Sequence, residues 1–139
     1  MIELKNLIQM SKYAGERFDL VQAGGGNSSA KLKNNQMLIK ASGYLLSDIS
    51  INVGYSKVYT NKISNIINSD AIKNEFNKRK KEILAKKLVE EATINKINRP
   101  SIETLLHSTL YKYTLHTHPI VVNIVVIKKK MEGNTFINF

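Results

Sequence analysis

Three consecutive glycines, Gly24 to Gly26, constrain the fold most strongly, because they separate a helical pattern from a strand pattern. Residues 2–18 carry apolar side chains at helical spacing. Residues 28–43 predict two short strands joined at Asn34 and Asn35, which tolerate the positive φ of a tight hairpin. A dinucleotide site or a P-loop needs glycines that lead into a helix, and the GxGxxG and GKS/GKT spacings are missing. The glycine run therefore argues against both of these nucleotide sites.

The other patterns alternate between strands and helices. Residues 51–63 predict a strand, and residues 69–91 predict a long charged helix. Residues 101–113 predict a second helix with Ser101 as its N-cap. Residues 114–127 predict a buried strand, because they are rich in β-branched side chains. The apolar residues expected on the inner side of the charged helix are Ile72, Phe76, Ile83, Leu84 and Leu88. The predicted fold class is therefore α/β, a central sheet flanked by helices.

The composition favours one soluble domain. A chain of 139 residues, 42% hydrophobic and 23% charged, is long enough to bury one core. Its longest apolar stretch, residues 119–127, is too short to span a bilayer, and the lack of cysteine fits a cytoplasmic protein. The net charge is +10, and many of the lysines that produce it lie on one predicted helix that faces solvent. Aromatic residues, on which nucleic-acid bases stack, do not alternate with these lysines. We therefore expect no nucleic-acid partner and no membrane partner.

Two pairs of residues could carry metal-assisted chemistry. His116 and His118 lie two residues apart in a predicted strand, so both imidazoles would project from one face. Glu103 and His107 lie four residues apart on the preceding predicted helix and share a face as well. A carboxylate beside two imidazoles suits a cation that stabilises an oxyanion while the carboxylate moves a proton. The residues alone leave simpler interpretations open: hydrogen-bonded histidines, a satisfied, partly buried His107, and a surface Glu103.

Four stretches together resemble one known family. GGGNSSAKL, MLIKASGYLLSDI, RPSIETLLH and LHTHPIVVNIV occur in the order and spacing of the class II aldolase/adducin family. They are most similar to the sugar-phosphate aldolases of the rhamnulose-1-phosphate and fuculose-1-phosphate type. The resemblance runs from about residue 10 to residue 127. It implies a mostly antiparallel central sheet flanked by helices, and a homotetramer with sites between subunits in intact members.

The resemblance also implies roles for individual residues. His116 and His118 match two zinc ligands, and Glu103 matches the acid/base of the family. The residues that match its phosphate-binding groups are Gly26, Asn27, Ser42, Gly43 and Ser101. The implied reaction is retro-aldol cleavage of a ketose phosphate to dihydroxyacetone phosphate and an aldehyde, with zinc as Lewis acid. Related members are sugar-phosphate epimerases or dehydratases, and adducin has no metal.

The sequence departs from the family pattern after His118. The family's third zinc ligand is a later histidine, and no histidine follows His118 here. Because catalytic zinc takes three protein ligands, we expect two to bind it weakly. Residues 1–139 are therefore expected to be a class II aldolase/adducin domain truncated at its C-terminus, with residues 128–139 outside the family sequence. A non-catalytic remnant is the alternative to an active lyase.

Overall fold

Four antiparallel strands form the central sheet, and helices cover it. In chain order the elements are α1 (Ile2–Gly15), β1 (Asn27–Lys31), β2 (Gln36–Lys40), β3 (Tyr55–Tyr59), α2 (Thr60–Asn68), α3 (Asp70–Lys73), α4 (Lys78–Glu91), α5 (Thr104–Thr109), β4 (Tyr113–His116) and α6 (Ile120–Met131). The strand order is β3-β2-β1-β4. The computed structural model describes residues 1–131, with side chains up to residue 128. The prediction of a mostly antiparallel sheet flanked by helices is confirmed.

The hairpin between β1 and β2 forms where the sequence predicts it. Asn34 and Asn35 have φ values of 59° and 54°, the left-handed conformation that asparagine adopts more readily than most residues. Ser29 then pairs with Ile39 across the two strands. Because side chains alternate along a strand, Leu38 and Ile39 enter opposite faces of the sheet.

The two faces of the sheet bury different apolar clusters. One face packs Ala30 and Leu38 against Leu7 of α1. The other face packs β2 and β3 against α2 and α4, through Met37, Ile39, Val58, Ile63, Ile66, Val89 and Ala92. A further cluster joins the end of α1 to the segments after α1 and β2, through Ala14, Val21, Leu46 and Ile49. The central strands are therefore fixed from both sides.

The strand expected over residues 51–63 is shorter than predicted. β3 has five residues, and α2 begins directly after it. Ile63 and Ile66 of α2 are buried three residues apart, which is helical spacing. The last part of the expected strand therefore belongs to a helix.

The charged segment 69–91 forms two helices where one is predicted. α4 starts after Asn77, whose side chain accepts a hydrogen bond from a backbone N–H of the first turn at 3.1 Å. Phe76, between the helices, is 95% exposed, and Ile83 is exposed as well. Ala85 and Val89 are buried instead. The prediction that Phe76 and Ile83 face inward is wrong, because Phe76 lies in the break between the helices and α4 buries Ala85 and Val89 in place of Ile83.

The apolar run 114–127 does not form the buried strand that its composition predicts. β4 ends at His116, and α6 begins at Ile120, directly after Pro119. Proline cannot donate to a strand ladder but is accommodated at the start of a helix. The Asn123 N–H donates to the Pro119 carbonyl at 3.1 Å, which begins the helical pattern.

Helix α6 exposes its apolar surface. Its valine and isoleucine side chains from Val121 to Ile127 are 49–71% exposed. Within residues 1–131, no helix is long and apolar enough to cross a membrane. The sequence analysis expects residues 128–139 not to belong to the family sequence. From residue 132 onward, this segment lies outside the described residues.

Candidate metal centre

Two imidazoles meet where β4 ends beside β1. His116 pairs with Asn27 in the strand ladder, and its Nε2 lies 3.2 Å from Nε2 of His118. Two nitrogen ligands of one tetrahedral zinc lie about 3.3 Å apart, given zinc–nitrogen bonds of about 2.0 Å. The two rings are therefore hydrogen-bonded, one of the interpretations the sequence left open, and their nitrogens also have the spacing of two ligands of one metal.

His118 reaches this position by a route that strand alternation does not predict. It lies beyond the end of β4, so the expected strand placement is wrong. Its backbone N–H donates to the Leu20 carbonyl at 2.9 Å, which holds the segment after β4 against the turn that follows α1. The side chains of His116 and His118 nevertheless converge, as the spacing of the two residues suggests.

The carboxylate of Glu103 faces His116. Oε1 of Glu103 lies 3.3 Å from Nδ1 of His116, and both side chains are partly exposed. Glu103 occupies the N-cap position of α5 that the sequence assigns to Ser101, whose hydroxyl instead accepts a hydrogen bond from the Glu103 N–H at 3.3 Å. The His107 N–H donates to the Glu103 carbonyl at 2.9 Å, so one helical turn brings Glu103 and His107 together.

His107 is buried with only one of its ring nitrogens bonded. Its Nδ1 lies 2.8 Å from the hydroxyl of Ser29, which comes from β1. Its Nε2, like Nδ1 of His116, is buried and has no hydrogen-bond partner in the described part of the chain. Burial lowers the pKa of His107, which favours the neutral imidazole. The interpretation of His107 as a satisfied, partly buried histidine therefore fails in both respects, since the residue is fully buried and Nε2 has no hydrogen-bond partner in the described chain.

Glu103, His107 and His116 together form a second possible donor set. One ligand atom from each lies within 4.8 Å of the other two. Buried nitrogens without partners are costly in a folded chain, and a divalent cation would satisfy both. Zinc accepts imidazole nitrogen and carboxylate oxygen. The donors therefore fit the metal that the sequence motif implies, and His116 belongs to both sets.

The two serines predicted to bind phosphate share a cavity. Ser42 and Ser101 line a space of about 230 Å³ together with Arg99, whose side chain donates to the Ser42 hydroxyl at 3.4 Å. Asn27 is buried at the β1–β4 pairing, where its side-chain oxygen accepts a hydrogen bond from the Ser28 N–H at 2.8 Å. The serines thus lie at one opening and Asn27 beside the histidines.

The predicted glycines occupy positions that other residues would strain. Gly26 has φ +72°, and a Cβ there would lie 2.9 Å from the His116 carbonyl oxygen. Gly43 has φ +88°. Gly26 therefore allows the start of β1 to approach the end of β4, which brings Asn27 beside His116. Phosphate binding by Gly26 and Gly43 stays a prediction.

Two features of the site were missed from the sequence. The contact between Ser29 and His107 joins residues 78 positions apart, and no local pattern indicates it. Lys40 is a buried cation that interacts electrostatically with Glu103. Because this lysine directly follows the apolar residues of MLIK, the sequence carried a signal for a buried cation.

Comparisons with known proteins complete this picture. The sequence matches the family described as the class II aldolase and adducin N-terminal domain over residues 5–136. It is also similar to a solved structure, the N-terminal class II aldolase domain of a conserved protein from Thermoplasma acidophilum, with a TM-score of 0.73 and 23% identity. That match covers 89% of this chain and 58% of the other, so this chain spans less than two thirds of its neighbour. No curated protein matches significantly.

Proposed function

Because the chain belongs to the class II aldolase and adducin family, we propose that it is a metal-dependent aldehyde-lyase that acts on a phosphorylated sugar. The proposed reaction is retro-aldol cleavage of a ketose phosphate to dihydroxyacetone phosphate and an aldehyde. Family membership does not suffice for this proposal, since the family includes adducin, which has no metal. The proposal therefore depends on the residues of the site.

The observation that supports it most is the convergence of Glu103, His107 and His118 on His116. Nε2 of His107 is buried without a hydrogen-bond partner in the described chain, and the Glu103 carboxylate lies 3.3 Å from Nδ1 of His116. A domain that served only as a binding module would gain nothing from such costly groups. Unsatisfied buried nitrogens beside a carboxylate are instead expected of a site that takes a cation.

His116 is proposed as the central ligand and His118 as the second. The 3.2 Å separation of their Nε2 atoms supports this pairing. The Nδ1 of His116 then faces Glu103, so that the carboxylate orients the ring, as carboxylates beside metal-bound histidines commonly do. When bound, a divalent metal supplies Lewis-acid stabilisation of negative charge on oxygen.

Glu103 is proposed to move the proton. In retro-aldol cleavage a hydroxyl loses a proton as the carbon–carbon bond breaks, and the electron pair left on the other carbon takes one up. The Glu103 carboxylate is partly exposed and held at the N-terminus of α5, so it can reach a substrate beside His116. Positioned general bases of this kind contribute roughly 10²- to 10⁴-fold to the rate.

The substrate phosphate is proposed to bind on the side of Ser42 and Ser101. Both hydroxyls border one cavity, and neighbouring backbone with positive φ at Gly43 can present its N–H to an anion. Gly26 and Asn27 complete the proposed set at the start of β1. The phosphate is therefore proposed to lie between the serines and the start of β1, where Asn27 pairs with His116.

An assay of dihydroxyacetone phosphate release tests this proposal. The zinc-loaded chain is incubated with rhamnulose 1-phosphate or fuculose 1-phosphate, and product is measured by coupled reduction. We expect turnover by the unaltered chain and a loss of at least roughly 100-fold in Glu103→Gln. Glu82→Gln, an exposed change on α4, is the matched control and should keep full activity.

Three other results would contradict the lyase assignment. If Glu103→Gln were as active as the unaltered chain, Glu103 would not be the residue that moves the proton. An isomerised or dehydrated sugar phosphate in place of dihydroxyacetone phosphate would move the chain to the epimerase or dehydratase branch. No conversion of either substrate by a zinc-loaded, folded chain would favour a non-catalytic role.

A further inference from the structure

Ser29 and His107 form a buried pair beside the candidate metal centre. Both residues are fully buried, and Nδ1 of His107 lies 2.8 Å from the Ser29 hydroxyl. Among the residues that the structure describes, the Ser29 hydroxyl has no other hydrogen-bond partner. Because solvent does not reach either group, their own donor and acceptor chemistry decides which of the two donates.

This chemistry favours the hydroxyl of Ser29 as the donor. If Nδ1 of His107 carried the proton, the Ser29 O–H would be buried without an acceptor in the described chain, which is costly. Nε2 would then present a lone pair to the nearby Glu103 carboxylate, which is also unfavourable. If Ser29 donates to Nδ1, the neutral ring carries its proton on Nε2. The hydroxyl therefore favours the His107 tautomer that has a donor at Nε2.

The carboxylate of Glu103 is the acceptor that this donor can reach. A ring nitrogen of His107 and a carboxylate oxygen of Glu103 lie within 4.8 Å of each other. Since Nδ1 is bonded to Ser29, Nε2 is the nitrogen that remains for the carboxylate, and it has no partner in the described chain. The Glu103 side chain is partly exposed, so it can rotate and shorten this contact when a substrate binds.

The proposed metal ligands leave Nε2 of His107 to Glu103. These ligands are the Nε2 atoms of His116 and His118. Glu103 lies instead 3.3 Å from the other ring nitrogen of His116, Nδ1. Resting on the proposed function, we propose that His107 is a positioning residue, whose Nε2–H holds the Glu103 carboxylate beside His116 for proton transfer. Ser29 acts through His107 by fixing its tautomer.

Heteronuclear NMR of the histidine rings tests the tautomer without requiring turnover. The unaltered chain is measured in the presence of zinc, at a pH above the ordinary histidine value of 6.5. We expect His107 to carry its proton on Nε2, and we expect Glu103→Ala to shift this Nε2–H resonance because the acceptor is removed. A proton on Nδ1, zinc bound to Nε2, or the same Nε2–H resonance in Glu103→Ala would overturn the proposal.

Two adjacent serines of β1 provide a matched pair of variants. Ser28 is fully buried like Ser29, but its hydroxyl contacts Ser11 at 2.7 Å on the opposite face of the sheet. Ser29→Ala should shift the Nδ1 resonance of His107, and Ser28→Ala should leave it unchanged. Both variants lose one buried hydroxyl, so thermal unfolding should show similar losses of stability. No shift in Ser29→Ala, or equal shifts in both variants, would overturn the role of Ser29.

Turnover gives the functional readout of the same contact. Glutamine can place an amide N–H near the position of Nε2, whereas asparagine places one near Nδ1. Positioning of Glu103 therefore predicts a kcat for His107→Gln that is roughly 10-fold above that of His107→Asn. The KM values should agree within about twofold, because His107 does not touch the substrate. Equal kcat values in these two variants would overturn the positioning role.

Failure of the lyase proposal would look different. If the unaltered chain turned over no substrate, that proposal would fail, whereas the NMR measurement would still decide whether His107 holds Glu103. Because the tautomer is observed in the unaltered chain, this decision does not depend on the folding of any variant.

Discussion

The hairpin, residues 27–40, and the C-terminal arm, residues 113–128, pair through β1 and β4 but differ in burial. Four of the five residues in each hairpin strand are buried, whereas β4 alternates between exposed and partly exposed residues. The apolar side chains of α6 are 49–71% exposed. Beyond the ladder, the arm is held by hydrogen bonds from the His118 and Ile120 N–H groups to the Leu20 and Asp19 carbonyls. The hairpin is therefore fixed by packing, and the arm mainly by backbone hydrogen bonds.

This difference matters because the candidate site takes groups from both regions. The hairpin supplies Ser29, which fixes His107, and the arm supplies His116 and His118. A metal bound by His116 would add an interaction that holds the arm, which is the less buried region. Binding that requires the folded arrangement stabilises it, so metal should stabilise the arm more than the hairpin.

The largest expected effect tests the packing contrast directly. Ile39→Ala in the hairpin removes a fully buried side chain and should lower the free energy of unfolding by about 2–5 kcal/mol. Ile124→Ala in the arm removes a side chain that is mostly exposed and should change it by less than about 0.5 kcal/mol. Urea denaturation of both variants measures the two values. Similar losses would show that α6 is packed and would break the comparison.

The next effect asks which region supplies the second metal ligand. His118→Ala in the arm should weaken zinc affinity by at least roughly 10-fold, because it removes a direct ligand. His107→Ala, beside the hairpin, should weaken it less. Competition with a chromogenic chelator measures both affinities. The reverse order would place the metal on the Nδ1 side of His116, with Glu103 and His107, and would contradict the ligand role of His118.

A smaller effect is expected at the hairpin turn. Asn34→Ala should destabilise the chain by about 1 kcal/mol, because alanine resists the positive φ that asparagine tolerates. Asn34→Gly at the same position should be neutral within about 0.5 kcal/mol. Denaturant unfolding of the pair gives the difference. Equal stability of the two variants would mean that the turn does not direct the hairpin.

The smallest effect concerns Lys40 at the end of the hairpin. Its pKa is lowered by burial, so the folded chain releases the proton at a lower pH than the unfolded chain does. Stability should therefore rise with pH as the ordinary lysine value of 10.5 is approached. Lys40→Met should lack this pH dependence, so the difference in stability between the two proteins should change over the same alkaline range. A constant difference between the two proteins would contradict a charged, desolvated Lys40.

The hairpin was predictable because its signals are local. Adjacent asparagines between two apolar segments specify the turn, and alternation specifies the faces. The proximity of Glu103 and His118 to His116 was predictable from the combination of motifs, and the roles of the three residues stay predictions. The contact of His107 with Ser29 was not, because it depends on how α5 packs on β1.

The arm was mispredicted for a physical reason. Valine and isoleucine are typical of buried strands, but they lower helix propensity only slightly. Pro119 interrupts the ladder, and α6 follows. The same kind of error placed Phe76 and Ile83 inside, since one helical period was extended across the break before α4. In both cases a residue that begins a helix, Pro119 or Asn77, ended the pattern that precedes it.

A zinc titration of the unaltered chain and of His116→Ala tests the central claim most directly, because His116 belongs to both possible donor sets. Thr117→Ala, between the two histidines, is the matched control. We predict that the unaltered chain and Thr117→Ala bind one zinc ion and that His116→Ala binds it at least roughly 100-fold more weakly. Equal zinc affinity in all three proteins, or none in the unaltered chain, would contradict a metal centre at the junction of the hairpin and the arm.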